Sequence, residues 1–302
     1  MRHRLEYLIV KVFIAVLRVM PDSVVRVLGS LLGLAFHTFD RAHRRIAERN
    51  LAAAFPSRPA AERRAIARGA FAHFGRLAFE LLKFATLSPA RMLARMEFDG
   101  EERSRLAYAK GKGVLFITGH FGFWELQAMA HAVRAQPVTI LARALDNPHL
   151  DRLLEQIRQR TGNTVVYRRE TIRRVMRTLQ AGQGVAVLID QHIHGPDAVY
   201  VEFFERRAAT ASAVAALALR TGSPVVPVFA LPLGKGRYRL IYEHPVEPPV
   251  ETEAGAADLI REFTQRCTDV LEMYVRRHPD FWLWMHRRWR DDGRDEGAHF
   301  LP

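Results

Sequence analysis

Cysteine is almost absent from this 302-residue chain: Cys267 stands alone. One thiol can form no internal disulfide and leaves no second cysteine for a zinc site. Cys267 therefore reads as a small apolar core residue, in a protein that does not work in an oxidising compartment. Long apolar runs are also lacking, and no window reaches the roughly eighteen uncharged apolar residues of a membrane-crossing helix. Internal repeats and low-complexity tracts are missing too, so the chain is no repeat array. Negative charge is in short supply: 45 lysines and arginines face 32 aspartates and glutamates, a formal net charge of +13. That balance calls for an anionic partner, whether nucleic acid, an acidic membrane surface, or an acidic carrier or lipid.

What is present is enough apolar sequence, 49% of residues, to bury a large core in one domain or one and a half. Two apolar stretches open the chain. Leu8 to Met20 is interrupted by Lys11 and Arg18, and Val27 to Phe39 follows Pro21. The first lacks a small-residue cleavage site, so no cleaved signal peptide is expected. Basic residues beside apolar ones suit helices lying in a cytoplasmic leaflet. Two buried helices of a soluble bundle would show the same periodicity. Residues 1–95 read as a helical, membrane-associating region, 96–290 as an α/β domain and 291–302 as a polar tail. From Gly111 onward, short β-rich runs alternate with helical ones. The spacing predicts strands at 114–118, 138–141, 164–167, 185–189, 225–229 and 238–242. Helices are predicted near 123–134, 148–160, 170–181, 209–221 and 254–277. This pattern implies a mainly parallel sheet flanked by helices, with ligands at the carboxyl ends of the strands.

Chemistry-bearing residues gather at those ends. His120 follows the apolar run Val114–Thr118, and Glu125 comes five residues later. A histidine base needs a partner that holds one tautomer, and a carboxylate serves. Five residues of regular helix would turn the two apart. The expectation is therefore a turn at His120, permitted by Gly119 and Gly122, with Glu125 in the first turn of the next helix. Phe121, Phe123 and Trp124 offer an apolar wall, or simply packing. Arg143, Arg158, Arg160, Arg168, Arg169, Arg173 and Arg174 recur around strand ends, as a phosphate-binding mouth would require. Asp190 and Gln191 end another apolar run, where Asp190 can pair with an arginine across the mouth or cap its loop. His192 and His194 are too closely spaced in a loop to argue for a metal, and none is expected. Thr210 reads as an N-cap. The tryptophans and arginines of 278–290 suit an interfacial belt, a lid, or stacking on nucleic acid.

Together these blocks resemble the late acyltransferases of lipid A biosynthesis, the lauroyl/myristoyl acyltransferase family, with phosphatidylinositol mannoside acyltransferases as relatives. The likeness runs through Arg49-Asn-Leu51, Ala54-Phe-Pro56, the His120 to Glu125 block, Arg143-Ala-Leu-Asp-Asn-Pro148, Asp190-Gln191, Phe203-Phe204 to Thr210 and His286-Arg-Arg-Trp289. It implies a glycerol-3-phosphate acyltransferase-like α/β fold and a membrane-associated O-acyltransferase. The acyl chain would pass from an acyl thioester to a hydroxyl of a lipid A precursor, at the cytoplasmic face of the inner membrane. By the resemblance His120 is the general base and Glu125 its partner, while Arg158, Arg160, Arg169 and Asp190 shape the site. Gly119, Arg143 and Gln191 join them as expected substrate-binding positions. Acyl carrier protein, itself acidic, is the implied donor, with a coenzyme A thioester as the other option and no metal or nucleotide cofactor. Another glycolipid or an aminolipid is the second acceptor class, and a basic nucleic-acid-binding protein is the rival reading. The sequence departs from the family in having Glu205, where glycine usually follows the paired phenylalanines. Its N-terminal apolar stretch is also short and interrupted by charge.

Overall fold

Four long helices open the chain in the computed structural model, which describes residues 2–167, 171–195, 197–250 and 255–290. They are α1 (Arg2–Val19), α2 (Asp22–Phe39), α3 (Arg41–Ala54) and α4 (Ala60–Phe84). Pro21 breaks the chain between the first two, and Asp40 caps α3 by accepting from the His43 backbone N–H. Helices α2 and α4 touch backbone to backbone. A Cβ on Gly33 would lie 2.0 Å from the Phe71 carbonyl oxygen, and one on Gly75 would lie 2.2 Å from that of Gly29. Lys83, buried on α4, caps the end of α1 by donating to the carbonyls of Leu17, Arg18 and Met20 at 2.8, 3.0 and 2.7 Å. A cation suits that position, because the last carbonyls of a helix lack partners and carry partial negative charge.

The outer faces of α1 and α2 are not covered. Leu5, Leu8, Ile9 and Val12 on α1, and Val27 and Leu31 on α2, are each more than half exposed. No helix among the described residues is long and apolar enough to cross a membrane.

The remaining elements are α5 (Pro89–Leu93), β1 (Met96–Asp99), α6 (Glu101–Ala109), β2 (Val114–Thr118), α7 (Trp124–Arg134), β3 (Val138–Ala142), α8 (Pro148–Gln159), β4 (Thr164–Tyr167), α9 (Thr171–Gln180), β5 (Gly184–Leu188), β6 (Ala198–Glu202), β7 (Arg207–Ala211), α10 (Ala213–Thr221), β8 (Val225–Gly234), β9 (Arg237–Tyr242) and α11 (Ala256–Arg277). A 3₁₀ turn, Pro279–Phe281, follows. Among the described residues the main sheet runs β1-β9-β8-β2-β5-β3-β4, and every pairing but β8 with β9 is parallel. The expected α/β architecture, a mainly parallel sheet flanked by helices, is thus present. Strand β2 lies near the middle, and all five of its residues are buried, as its unbroken apolar run requires. The core continues from the sheet into α3 and α4 through Leu51, Phe55, Ala67 and Phe71.

Three features depart from expectation. Strand β1 and helix α6 lie where no element was predicted, and β6 pairs with β7 in a separate hairpin. Thr210 is a buried residue of β7 and not a helix cap. The buried Arg288 guanidinium donates to its hydroxyl and to the Ala209 carbonyl, fixing the alanine-rich segment as a strand. The helix begins only at Ala213.

Candidate active site

Strands β2 and β5 are adjacent and parallel, with Thr118 opposite Leu188. His120 and Asp190 each lie two residues past those strand ends, so the register alone brings them together. The Asp190 carboxylate accepts the His120 backbone N–H at 2.7 Å on Oδ2 and meets the ring Nδ1 at 2.9 Å through Oδ1. The indole N–H of Trp282 donates to Oδ2 at 2.8 Å. This arrangement commits Nδ1–H to Asp190 and leaves the Nε2 lone pair free to take a proton. The Gln191 amide nitrogen lies 3.4 Å from Nε2. The imidazole keeps 17% of its surface exposed while Asp190 keeps 3%, so the ring can be reached and the carboxylate cannot.

Electrostatics follow from that geometry. Burial opposes charge on His120 most strongly, but the negative charge and hydrogen bond of Asp190, with help from Glu125, raise its pKa above the ordinary histidine value. Burial likewise opposes ionisation of Asp190. His120 and the donated hydrogen bonds overcome it and hold the carboxyl down at about 2.

The backbone of the His120 turn is fixed from three sides. Gly122, at φ 58°, approaches β8 so closely that a Cβ would lie 2.2 Å from the Ala230 carbonyl oxygen. Its N–H donates to the Phe281 carbonyl at 2.9 Å, and its own carbonyl lies 3.2 Å from His73 Nε2. Burial pushes the His73 pKa down to about 3, so the ring is neutral and donates to that oxygen. Leu283 N–H donates to the His120 carbonyl at 3.1 Å. At Gly119 an added Cβ would lie 3.0 Å from Asp190 Oδ2, so glycine leaves room for the carboxylate beside the backbone.

Glu125 stands in the first turn of α7, as expected, but it is not the hydrogen-bond partner of the imidazole. Its two oxygens take Nε and Nη2 of Arg158 at 2.9 and 2.5 Å, in a pair with little solvent exposure on either side. Its charge still reaches His120 through space. Among the described residues Asp190 pairs with no arginine across the mouth; its carboxylate holds the His120 imidazole instead. Arg143 and Arg160 are exposed, at the end of β3 and the end of α8. Arg168 and Arg169 lie outside the described residues.

Phe121 and Phe123 are core side chains, while Trp124 packs beside the imidazole, its ring centre 5.2 Å away. Trp282 and Trp284 are buried rather than belted at an interface, because each indole N–H finds an acceptor inside, Asp190 and the Pro279 carbonyl respectively. Sequence reasoning missed two contributors. Trp282 is 92 residues from Asp190, and no local signal marks that bond. His286 accepts the His192 backbone N–H at 3.1 Å, and burial pushes its pKa down to about 4. His192 and His194 lie against each other, with His192 Nε2 3.3 Å from His194 Nδ1.

A histidine poised by a buried carboxylate and open at Nε2 can accept a proton from a hydroxyl and return it to a leaving group. Comparison with known proteins gives the family. The sequence profile of the family described as bacterial lipid A biosynthesis acyltransferase matches residues 1–291. The lipid A biosynthesis myristoyltransferase of Escherichia coli is 27% identical over 265 residues, 87% of this chain and 79% of that protein. A lipid A biosynthesis acyltransferase of Haemophilus influenzae is 25% identical over 286 residues, 94% of this chain and 87% of its own. The lipid A biosynthesis palmitoleoyltransferase of Escherichia coli is 24% identical over 287 residues, 93% of this chain and 90% of that enzyme. With a family match over nearly its whole length, the chain belongs to the bacterial lipid A biosynthesis acyltransferases and is an acyltransferase.

Proposed function

We propose that the protein transfers a fatty acyl chain from an acyl thioester to a hydroxyl of a lipid A precursor at a membrane surface. The observation that carries this reading is the His120–Asp190 pair, with Nδ1 held at 2.9 Å and the Nε2 side open. His120 Nε2 takes the proton of the acceptor hydroxyl as its oxygen attacks the thioester carbonyl. The C–S bond of the tetrahedral adduct then breaks, and the imidazolium returns the proton to the departing thiolate. The products are an ester and a free thiol. Asp190 holds the ring and stabilises the imidazolium in between. This chemistry calls for no cofactor beyond the thioester.

Arg158, already paired with Glu125, fixes the wall of the site, and Gln191 lies where it can contact the reacting oxygen. Arg143, Arg160 and Arg169 supply further positive charge for a phosphorylated acceptor. A net charge of +13 favours an acidic donor, and acyl carrier protein is the donor we propose over coenzyme A. The uncovered apolar faces of α1 and α2 would lie in the cytoplasmic leaflet of the inner membrane. Helix α1 reaches the catalytic end of the sheet, since Asn147, at the start of α8, donates to Glu6 at 2.8 Å and to the His3 carbonyl at 3.1 Å.

The test is mass spectrometry of lipid A from the host with the gene deleted, then restored as wild type or as His120→Ala. One acyl chain should disappear and return only with wild type. A chain lost from a different lipid would move the acceptor assignment, and restoration by His120→Ala would remove the base.

A further inference from the structure

Phe281, whose carbonyl anchors the His120 turn, also lines a cavity of about 450 Å³ away from that site. It opens where α2, α4 and the turn between β8 and β9 meet, among Arg26, Ser30, Arg76, Glu80, Lys235 and Tyr238. His120 and Asp190 take no part in it.

Its charges are unbalanced. Arg26 Nη1 is buried and meets no hydrogen-bond acceptor among the described residues. Among the described residues Arg76 Nη1 donates to a neutral group, the Ser30 hydroxyl at 3.2 Å. Lys235 is exposed at the tip of the turn, and Gly236 lets that turn pass so close that a Cβ there would lie 3.0 Å from Arg26 Nη1. The opposing carboxylates are largely engaged. Glu80, within electrostatic reach of both Arg26 and Arg76, accepts the Tyr238 hydroxyl, and burial raises its pKa above the ordinary carboxylate value. Asp22 is held by Arg95 at 2.7 Å, and Asp280, within electrostatic reach of Arg76, also has its pKa raised by burial. The fourth cation of the rim, Arg237, is tied to Glu97. A buried guanidinium hydrogen without an acceptor is costly unless an anion fills the place, and two guanidinium groups fit phosphate oxygens well.

The rim indicates what carries the phosphate. Val27 lines the cavity and is 58% exposed, and Val24, Leu28 and Leu31 continue the uncovered face of α2 beside it. A ligand with an anionic head and apolar chains meets both surfaces at once. We propose that this cavity binds the phosphate of an anionic lipid whose acyl chains lie along the exposed face of α2. The site is distinct from the catalytic pair, and its test involves no turnover, so a failed acyl-transfer assay leaves it standing.

The test is co-sedimentation of the full-length protein with phosphatidylcholine vesicles containing or lacking phosphatidic acid. The double substitution Arg26→Gln/Arg76→Gln should weaken binding to the phosphatidic acid vesicles about tenfold. Arg105→Gln/Arg220→Gln removes the same charge from exposed positions on α6 and α10, which lead into the amino ends of β2 and β8. That variant should bind within about twofold of wild type if the loss is site-specific. Equal losses in the two variants would reduce the effect to general attraction and overturn the proposal, as would no loss in the first. Calorimetric titration with inorganic phosphate separates a lipid from a soluble anion. Binding as tight as to the vesicles would overturn the lipid assignment. Should the double variant fail to fold, Lys235→Glu at the exposed turn tests the same cavity by the same readout, and unchanged vesicle binding would count against it.

Discussion

Glu125 and Arg158 grip each other through two hydrogen bonds, 2.9 and 2.5 Å long, with both side chains mostly out of water. The carboxylate five residues after His120 is thereby committed to a cation, and the imidazole turns to Asp190 instead. Removing either partner leaves a desolvated charge, a mechanism that costs several kcal/mol when a buried pair is broken. Glu125→Gln and Arg158→Gln should each destabilise by about 2–4 kcal/mol, and the double variant should lose far less than the sum. Denaturant melts of the three variants measure this. Additive losses would show that the pair does not act as a unit.

Asp190→Asn separates the role of Asp190 from that of Glu125. The asparagine amide cannot hold the imidazole in the same tautomer, and kcat should fall about 10²–10⁴-fold. The wild-type acid limb of kcat/KM should lie above the ordinary histidine value, because Asp190 raises the pKa of His120. In Asp190→Asn that limb should move to lower pH. Stability carries the same signature with two signs. The depressed Asp190 pKa, about 2 against 3.8, contributes stability above about pH 4 that is lost as pH falls toward 2. The raised His120 pKa contributes stability below 6.5 that is lost as pH rises through its folded value. A pH series of melting temperatures for wild type and Asp190→Asn should show the gap widest between those limits. An unshifted acid limb would mean that Asp190 does not set the basicity of His120.

The strands of the parallel sheet were legible because buried parallel strands are near-continuous apolar runs, as in Val114–Thr118 and Gly184–Leu188. That His120 and Asp190 end such runs was legible too. Their pairing was not, because β5 lies beside β2 only after β3 and β4 have been placed on its far side, a non-local choice that no spacing encodes. Glu125 was the carboxylate near in sequence, and Arg158 outcompeted the imidazole for it. The hairpin of β6 and β7 was hidden for a local reason. Its turn carries Phe204 and Glu205 at φ 56° and 58°, where asparagine and glycine normally announce a turn of that kind. Strand β1, Met96–Asp99, holds two acidic residues among four and lies at the sheet edge, where an apolar run is not required.

The contact of α2 with α4 leaves no room for a methyl group. In Gly33→Ala the new Cβ would meet the Phe71 carbonyl at 2.0 Å, a backbone atom that can retreat only if the helices part. Overpacking of this sort costs about 1–3 kcal/mol or more. Leu31→Ala, on the exposed face of the same helix, should stay within about 0.5 kcal/mol in solution. Urea melts of the two variants make the comparison. If Gly33→Ala were as stable as wild type, the two helices would not be packed as tightly as their backbones indicate.

Glu205 follows Phe204 in the turn of the β6 and β7 hairpin, and the structure shows what a side chain costs there. Phe203 and Arg206 exchange backbone hydrogen bonds at 2.9 and 3.3 Å, closing a two-residue turn whose central residues are both left-handed. A residue with a Cβ pays about 1 kcal/mol to adopt that conformation, and glycine does not. The Glu205 side chain offers little in return. It is 90% exposed, and Arg276 stands 3.8 Å away while bonding Glu272 at 2.6 Å. Phe204 is the worse target, because its ring packs on Phe55 and Trp284, and its N–H donates to Glu272 at 2.6 Å. Glu205→Gly should therefore raise stability by up to about 0.5 kcal/mol, the strain released less the flexibility that glycine adds to the unfolded chain. Activity should be unchanged, since the turn does not touch His120. Thermal melts of Glu205→Gly against Glu205→Ala decide the matter, because alanine removes the same carboxylate and keeps the Cβ. Equal melting temperatures for the two would assign any gain to lost charge and not to backbone strain.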